Sequence, residues 1–325
     1  MKTRFFVIAA MLLMTGTLVG ACGGAGTAAP PTEAAGTRVA MLFPGQVFDK
    51  SWNEEGFNGL KQAETECGVS IAYTENVKQA DQLEGFRNYA AQGYDIIIGH
   101  GGEFYDAAVT AASENPELHF IVIMGLEAQG NISGSVLSFA DMGYLAGAMA
   151  CNVTKSNKVA NVIGGTFPIM EQGAKGFENG VASCGKEIGV QTVDIASFDD
   201  VNKAYEASVV LINQGVDVLW HIADDAGTGV LTAAQDKGVY AIGLYTDQSS
   251  VAPDAVVGSA LGSPSAPVSL AACGKIDPGK VVQVGASTPN GPSILMADWL
   301  PDEVKTAVQQ AYEDLKTGKV SALGE

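Results

Sequence analysis

Gln92-Gly93-Tyr94-Asp95-Ile96 returns in the second half of the chain as Gln214-Gly215-Val216-Asp217-Val218. Each phrase closes an amphipathic stretch with a glycine and enters an apolar run directly after an aspartate, as a helix does when it gives way to a strand. The same alternation continues outward from both copies. Apolar runs at 38–43, 70–73, 96–99, 119–124, 135–139, 159–163, 191–196, 218–221, 239–243, 256–260 and 281–286 read as strands. Most are unbroken rather than alternating, as in strands covered on both faces. Helical patterns fit between them at 52–67, 80–92, 105–114, 142–153, 172–183, 202–213, 227–236 and 301–317. Such strand–helix alternation builds parallel sheets. It runs from 38 to 124 and again from 158 to 244, so the expected fold is α/β: two doubly wound parallel-sheet lobes with a central cleft. Residues 38–140 with part of 262–325 form the expected first lobe, and 141–261 with part of 262–325 the second. The stretch 142–153 is expected to carry the chain across. Gly262, Pro264 and Pro267 break the pattern where it returns.

The amino end reads differently. Lys2 and Arg4 precede an apolar run, Phe5 to Leu13, which is shorter than the roughly 20 residues a membrane-spanning helix needs. Residues 1–21 are expected to be a signal peptide. Leu18-Val19-Gly20-Ala21 lead into Cys22, the expected lipidation site, and 22–37 with Pro30 and Pro31 form a flexible tether. Roughly 290 residues remain, enough for two substantial cores. The chain carries 18 Lys+Arg against 36 Asp+Glu, a net charge of −18. That field repels phosphate backbones, so nucleic acid is not an expected partner. Cys67, Cys151, Cys184 and Cys273 allow three pairings, and the sequence leaves open both the pairing and free thiols.

In open α/β sheets, ligands sit beyond the carboxyl ends of the strands. Those loops collect Phe48, Asp49, Trp52, Glu103, Phe104, Phe167, Phe198, Asp199, Asp224, Asp225, Tyr245 and Asp247. Asp49, Ser51 and Asn53 serve equally well as helix caps or as ligand contacts. Glu103 has the same two roles open, and of Asp224 and Asp225 one can cap while the other accepts from a ligand. His100-Gly101-Gly102 resembles an esterase oxyanion-hole phrase, but no G-x-S-x-G elbow supplies a nucleophile. His100, His119 and His221 are scattered without zinc-ligand spacing. Neither a cofactor nor a metal is expected, and the chain does not read as an enzyme.

Phe48-Asp49-Lys50-Ser51-Trp52-Asn53-Glu54-Glu55-Gly56-Phe57 carries a family resemblance. So do Gly101 to Ala108, Tyr144 to Ala148, Ser197 to Asp200, Ala223 to Gly229 and Thr246-Asp247-Gln248. Together, across 38–290, they resemble the basic-membrane-protein family of substrate-binding lipoproteins, the purine-nucleoside receptor type. The resemblance implies a type I periplasmic-binding-protein fold, an ABC permease as partner and a purine ligand. It also implies that Trp52 and Phe198 stack on the two faces of the base. Family members commonly have an aspartate where Phe43 stands, a second one where Tyr245 stands and a lysine where Gly262 stands. The last two usually serve the ribose, so the expected ligand is a free, adenine-like base, with a nucleoside second. The expected contacts are Phe43, Asp49, Ser51, Trp52, Asn53, Gly102, Glu103, Phe198, Asp224, Tyr245 and Asp247. The protein is expected to be a monomer, outside the cell membrane and held there by lipid. A nucleoside-salvage enzyme and a sugar or small-metabolite binder are the competing readings.

Overall fold

The computed structural model describes residues 36–48 and 52–324. The expected signal peptide, Cys22, Asp49 and Ser51 lie outside the described residues. Strands β1 (Arg38–Leu42), β2 (Ser70–Thr74), β3 (Ile96–His100), β4 (His119–Ile123) and β5 (Ile132–Leu137) form one sheet together with β11 (Val281–Val284). Its order is β11-β5-β4-β3-β1-β2, and every pairing is parallel. The second sheet contains β6 (Lys158–Ile163), β7 (Gly189–Asp194), β8 (Val218–Ile222), β9 (Tyr240–Tyr245), β10 (Val256–Leu261) and β12 (Ser293–Met296), in the order β12-β10-β9-β8-β6-β7. Only β12 runs antiparallel. Both sheets belong to one unit, Gly36–Glu325.

The helices in chain order are α1 (Trp52–Cys67), α2 (Gln82–Ala91), α3 (Tyr105–Glu114), α4 (Phe139–Val153), α5 (Pro168–Ala182), α6 (Val201–Asn213), α7 (Gly227–Lys237), α8 (Ser265–Ala272) and α9 (Asp302–Lys316). They cover both faces of each sheet, which explains why the strands read as unbroken apolar runs. In the first lobe Val39, Met41, Ile98 and Ile121 face one way, onto Leu60 of α1 and Val268 of α8. Their neighbours Ala40, Leu42, Ile97 and Phe120 face the other way, onto Phe86, Phe104 and Ala108 of the α2–α3 side. In the second lobe Val159, Trp220 and Ile242 pack on Met149 and Phe177, while Ala160, Leu219 and Ala241 pack on Ala204 and Val230.

Two elements escaped the sequence reading. Helix α8 forms despite Pro264 and Pro267. Pro267 falls in the first turn, where a backbone N–H has no helical partner to lose. Strand β12 is a short edge strand of partly buried and exposed residues, so it lacks the long apolar run that marks the others. Helix α4 starts at Phe139 rather than 142, because Ser138 accepts the Asp141 N–H at 3.2 Å and caps it. The crossing from first to second sheet is therefore at Ser138, and α4 packs within the second lobe. There Gly147 lets α5 approach so closely that a Cβ would lie 2.2 Å from the Phe177 carbonyl.

Three segments join the sheets: Ser138, residues 262–264 and residues 285–292. They are tied together. Ser138 N–H donates to the Val284 carbonyl at 3.0 Å, and Ala286 N–H donates to Asp141 Oδ2 at 2.7 Å. Gly262 packs on Met142 and Leu137, so that a Cβ there would press on the Met142 thioether. The cysteines pair as Cys67–Cys273, joining the ends of α1 and α8, and Cys151–Cys184, joining α4 to the end of α5.

Candidate functional site

A cavity of about 260 Å³ opens where the strand ends of the two sheets meet. Trp52 and Glu55 come from the first lobe. His221, Asp224, Asp225, Thr228, Leu244, Tyr245, Thr246 and Gln248 come from the second. Gly262, Ser263 and Pro264 come from the middle crossing segment. The volume lies just below the roughly 300–1,000 Å³ of drug-sized sites, which suits a one- or two-ring ligand.

Trp52 is the first residue of α1, so its indole projects from the turn after β1. It is half-buried and stacks on His100, with centroids 4.3 Å apart and planes 12° apart. His100 Nε2 donates to the Trp52 carbonyl at 2.9 Å, fixing ring and backbone together. One turn along α1, a Cβ on Gly56 would lie 2.4 Å from the imidazole, so the stack requires glycine there. Phe43 is fully buried and meets His100 edge-on at 5.1 Å. The indole thus rests on a stiff aromatic shelf that occupies one of its faces.

The facing wall is polar. Asp224 follows β8 at φ +43°, and Tyr245 ends β9 at φ +65°, a left-handed backbone that bulky residues adopt at a cost. The Tyr245 phenol and the Asp224 carboxylate act on each other electrostatically. Asp224 is exposed to the cleft, and the protein packed beside it desolvates its carboxyl enough to raise it above the ordinary range, helped by Asp225. Burial, then the Asp224 charge, raises the Tyr245 phenol well above 10. The phenol therefore stays a neutral donor beside the carboxylate.

Behind this pair, fully buried His221 is pushed down to about 4 by burial, so it is neutral at pH 7. Gln248 Oε1 lies 3.0 Å from His221 Nε2 and accepts the Leu244 N–H at 2.8 Å. From the crossing segment, the Ser263 hydroxyl donates to Glu55 and ties α1 to the hinge.

Of the expected contacts, the structure brings Trp52, Asp224 and Tyr245 to this cavity. Phe43 lies beneath the shelf instead of lining the cavity, because β1 turns it into the core. Asn53 is buried against the turn at Gly45. Gly102 and Glu103 form a single 3₁₀ turn outside the cavity lining. There the Glu103 carboxyl folds over Gly101, and desolvation raises it. Phe198 stacks on Phe167 at 6.3 Å and does not line the cavity. Asp247 is exposed on a neighbouring surface, where the Ser249 N–H holds its carboxyl below the ordinary range. Sequence reasoning missed Glu55, His221, Leu244, Gln248 and Ser263 as cavity residues. Gln248 stands in one of the phrases that carry the resemblance, and His221 enters the sequence reading only as a histidine without zinc-ligand spacing. Their signal is their place at the carboxyl ends of β8 and β9.

A family model described as ABC transporter substrate-binding protein PnrA-like matches residues 36–285. The transcriptional activator protein med of Bacillus subtilis (strain 168) is 26% identical over 260 residues, covering 80% of this chain and 78% of that protein. The ABC transporter nucleoside-binding protein BmpA of Lactococcus lactis subsp. cremoris (strain MG1363) is 26% identical, covering 76% of this chain and 75% of its own length. Among solved structures, a transcriptional activator of the comK gene from Bacillus halodurans superposes with a TM-score of 0.73 at 22% identity, over 87% of this chain and 99% of that one. A solute-binding protein of an ABC transporter system from Aeropyrum pernix K1 does so with a TM-score of 0.67 at 17% identity, over 88% and 92%. At such identities the solved structures establish the shared two-lobe fold. The family match adds what that fold does here: the chain belongs to the Bmp family of PnrA-like ABC transporter substrate-binding proteins, which bind solutes and are not enzymes.

Proposed function

We propose that this protein captures a purine, an adenine-like base first and a nucleoside second, and delivers it to an ABC permease. The observation that carries the reading is the Trp52 shelf: a planar ring, backed by His100, lining a small cavity whose other wall is polar. A flat aromatic face suits a planar heterocycle, and stacking on one base is worth about 1–3 kcal/mol. The nucleoside-binding relative from Lactococcus lactis supports the ligand class. Phe198 rests on Phe167, so the reading stands on Trp52 without a second stacking face. Ligand contacts from both lobes exist together only in a closed form, so binding shifts the population toward closure. No described helix is long and apolar enough to cross a membrane. The protein works outside the cell membrane as a monomer, held by lipid on Cys22.

Calorimetric titration with adenine, guanine, hypoxanthine and their nucleosides tests the reading. Saturable binding of a base is the expected result. Nucleosides binding far more tightly than bases would reverse the preference, and no purine binding at all would remove the function. Mass spectrometry of the membrane-extracted protein tests the anchor, which requires a lipid adduct on Cys22.

A further inference from the structure

Gln248 takes no part in the reading above, yet its side chain is the most firmly oriented polar group in the cavity wall. Its Oε1 is 2.8 Å from the Leu244 backbone N–H and 3.0 Å from His221 Nε2. A backbone N–H only donates, so the atom facing it is the amide oxygen, which removes the usual two-fold ambiguity of a glutamine. The oxygen fixes the imidazole in turn: Nε2 carries the proton and Nδ1 keeps the lone pair. The backbone is pinned as well, with the Gln248 N–H donating to Ser259 Oγ at 3.2 Å. With the oxygen doubly occupied, the polar group left over is the –NH2, which donates to no described residue and is not sealed in the core.

Other donors on that side are already used. The Thr228 hydroxyl goes to the Asp225 carbonyl and the Ser263 hydroxyl to Glu55, and the Tyr245 phenol is biased electrostatically toward the Asp224 carboxylate. The Thr246 hydroxyl is a rotor with no fixed direction. The wall therefore offers carboxylate acceptors and one locked amide donor.

We propose that Gln248 is a specificity-determining donor of this site: its amide N–H meets a ring nitrogen of a purine stacked on Trp52, while Asp224 accepts from a neighbouring ligand N–H. His221 is then a positioning residue that holds the amide oxygen back from the ligand. This inference rests on the purine reading. It adds a direction to that reading, because the stack admits any planar ring and the donor–acceptor wall chooses among them.

The test is titration of adenine and its 1-, 3- and 7-deaza analogues into the unsubstituted protein, Gln248→Glu and Gln248→Met. Glutamate can still accept from Leu244 N–H and His221 Nε2–H but replaces the –NH2 with an oxygen. Methionine keeps the length and removes both groups. Melting of each variant without ligand reports folding, so a Gln248→Met that unfolds leaves Gln248→Glu to decide. The expected result is that one deaza analogue binds the unsubstituted protein about tenfold or more weaker than adenine. In the variants adenine should fall to that analogue's level, and the same deaza change should cost nothing further. Variants that keep full adenine affinity, or that lose adenine and every analogue by the same factor, overturn the inference and leave the purine reading standing. An unsubstituted protein that binds none of the four overturns this inference, and the purine reading goes with it only if guanine, hypoxanthine and the nucleosides also fail to bind.

Discussion

At the strand ends of the first lobe the groups facing the cavity are the Trp52 indole and Glu55, whereas the second lobe offers Asp224, Tyr245, Thr246 and Gln248. The scaffolds beneath them correspond closely. Val39-Ala40-Met41 of β1 matches Val159-Ala160-Asn161 of β6, and each is flanked by its second and third strands in the same order. Met41 pairs with Ile98 and Asn161 with Trp220. The lobes therefore diverge at the strand ends and at a few inward positions while sharing their sheet geometry. A stacking wall tolerates in-plane rotation of a ligand, and a hydrogen-bonding wall does not. Splitting the two kinds of contact between lobes makes recognition depend on closure.

Each lobe carries one disulfide. Cys67–Cys273 spans 206 residues of sequence and Cys151–Cys184 spans 33. If cross-links act by restricting the unfolded chain, they contribute about 5 and about 4 kcal/mol respectively. Urea unfolding of Cys67→Ser/Cys273→Ser should therefore show the larger loss. Equal losses, or a larger loss for the shorter loop, would place the effect in native packing of α1 on α8 and α4 on α5.

The next effect belongs to the second lobe's buried histidine. His221 is held at about 4 against an ordinary 6.5. Between those values the unfolded chain binds a proton that the folded protein refuses. Stability is therefore complete above pH 6.5 and is lost as pH falls toward 4, by about 3 kcal/mol. His119 in the first lobe works in the same direction, since burial lowers it against the pull of Asp277. Denaturant midpoints of the unsubstituted protein and His221→Gln at pH 7, 5.5 and 4.5 separate the two sites. The variant should lose much of the pH slope, and an unchanged slope would assign it to His119 and the carboxylates.

Trp52→Ala sharpens the contrast between the walls. It should weaken purine binding by about 1–3 kcal/mol, read by calorimetry, with a smaller change in melting because the ring is only half-buried. Phe198→Ala should weaken binding less, since that ring lies on Phe167. Equal losses would mean that Phe198 leaves Phe167 and covers the ligand in the closed form.

Much of this architecture was readable before any coordinates. Unbroken runs such as Ile96-Ile97-Ile98 fixed the strands because both faces of each sheet are covered. The spacing of α1 and α3 matched their observed limits. Helix α8 was hidden because a proline in a first turn looks the same in sequence as a proline that ends a helix. The site was readable only by position along the chain. Trp52, Asp224 and Tyr245 were found because strand ends meet at the cavity. Phe43 and Asp247 also sit at strand ends, but one side chain turns into the core and the other out to solvent. Backbone direction at the last residue of a strand decides between those outcomes, and left-handed residues such as Asp224 and Tyr245 carry no sequence mark for it.

The smallest expected effect lies where the two scaffolds differ inside the sheet. Asn161 stands in β6 where β1 has Met41, and it is fully buried with neither side-chain polar atom hydrogen-bonded to a described group. The Trp220 Nε1 beside it in register is in the same condition. A buried amide without a partner costs about 1–3 kcal/mol, and removing it for an apolar group of similar size recovers part of that. Asn161→Val keeps a strand-forming, β-branched side chain in place of the amide. It should raise the urea unfolding free energy by about 1 kcal/mol and leave purine affinity unchanged, since Asn161 does not line the cavity. Met41→Asn, the reciprocal change, should destabilise the first lobe by more, because it places an amide in the apolar cluster of Ile98, Ile121 and Leu60. If Asn161→Val destabilised the protein instead, the amide would have to be hydrogen-bonded in solution. The inward difference between the lobes would then be a second polar feature of the second lobe rather than a flaw in its packing.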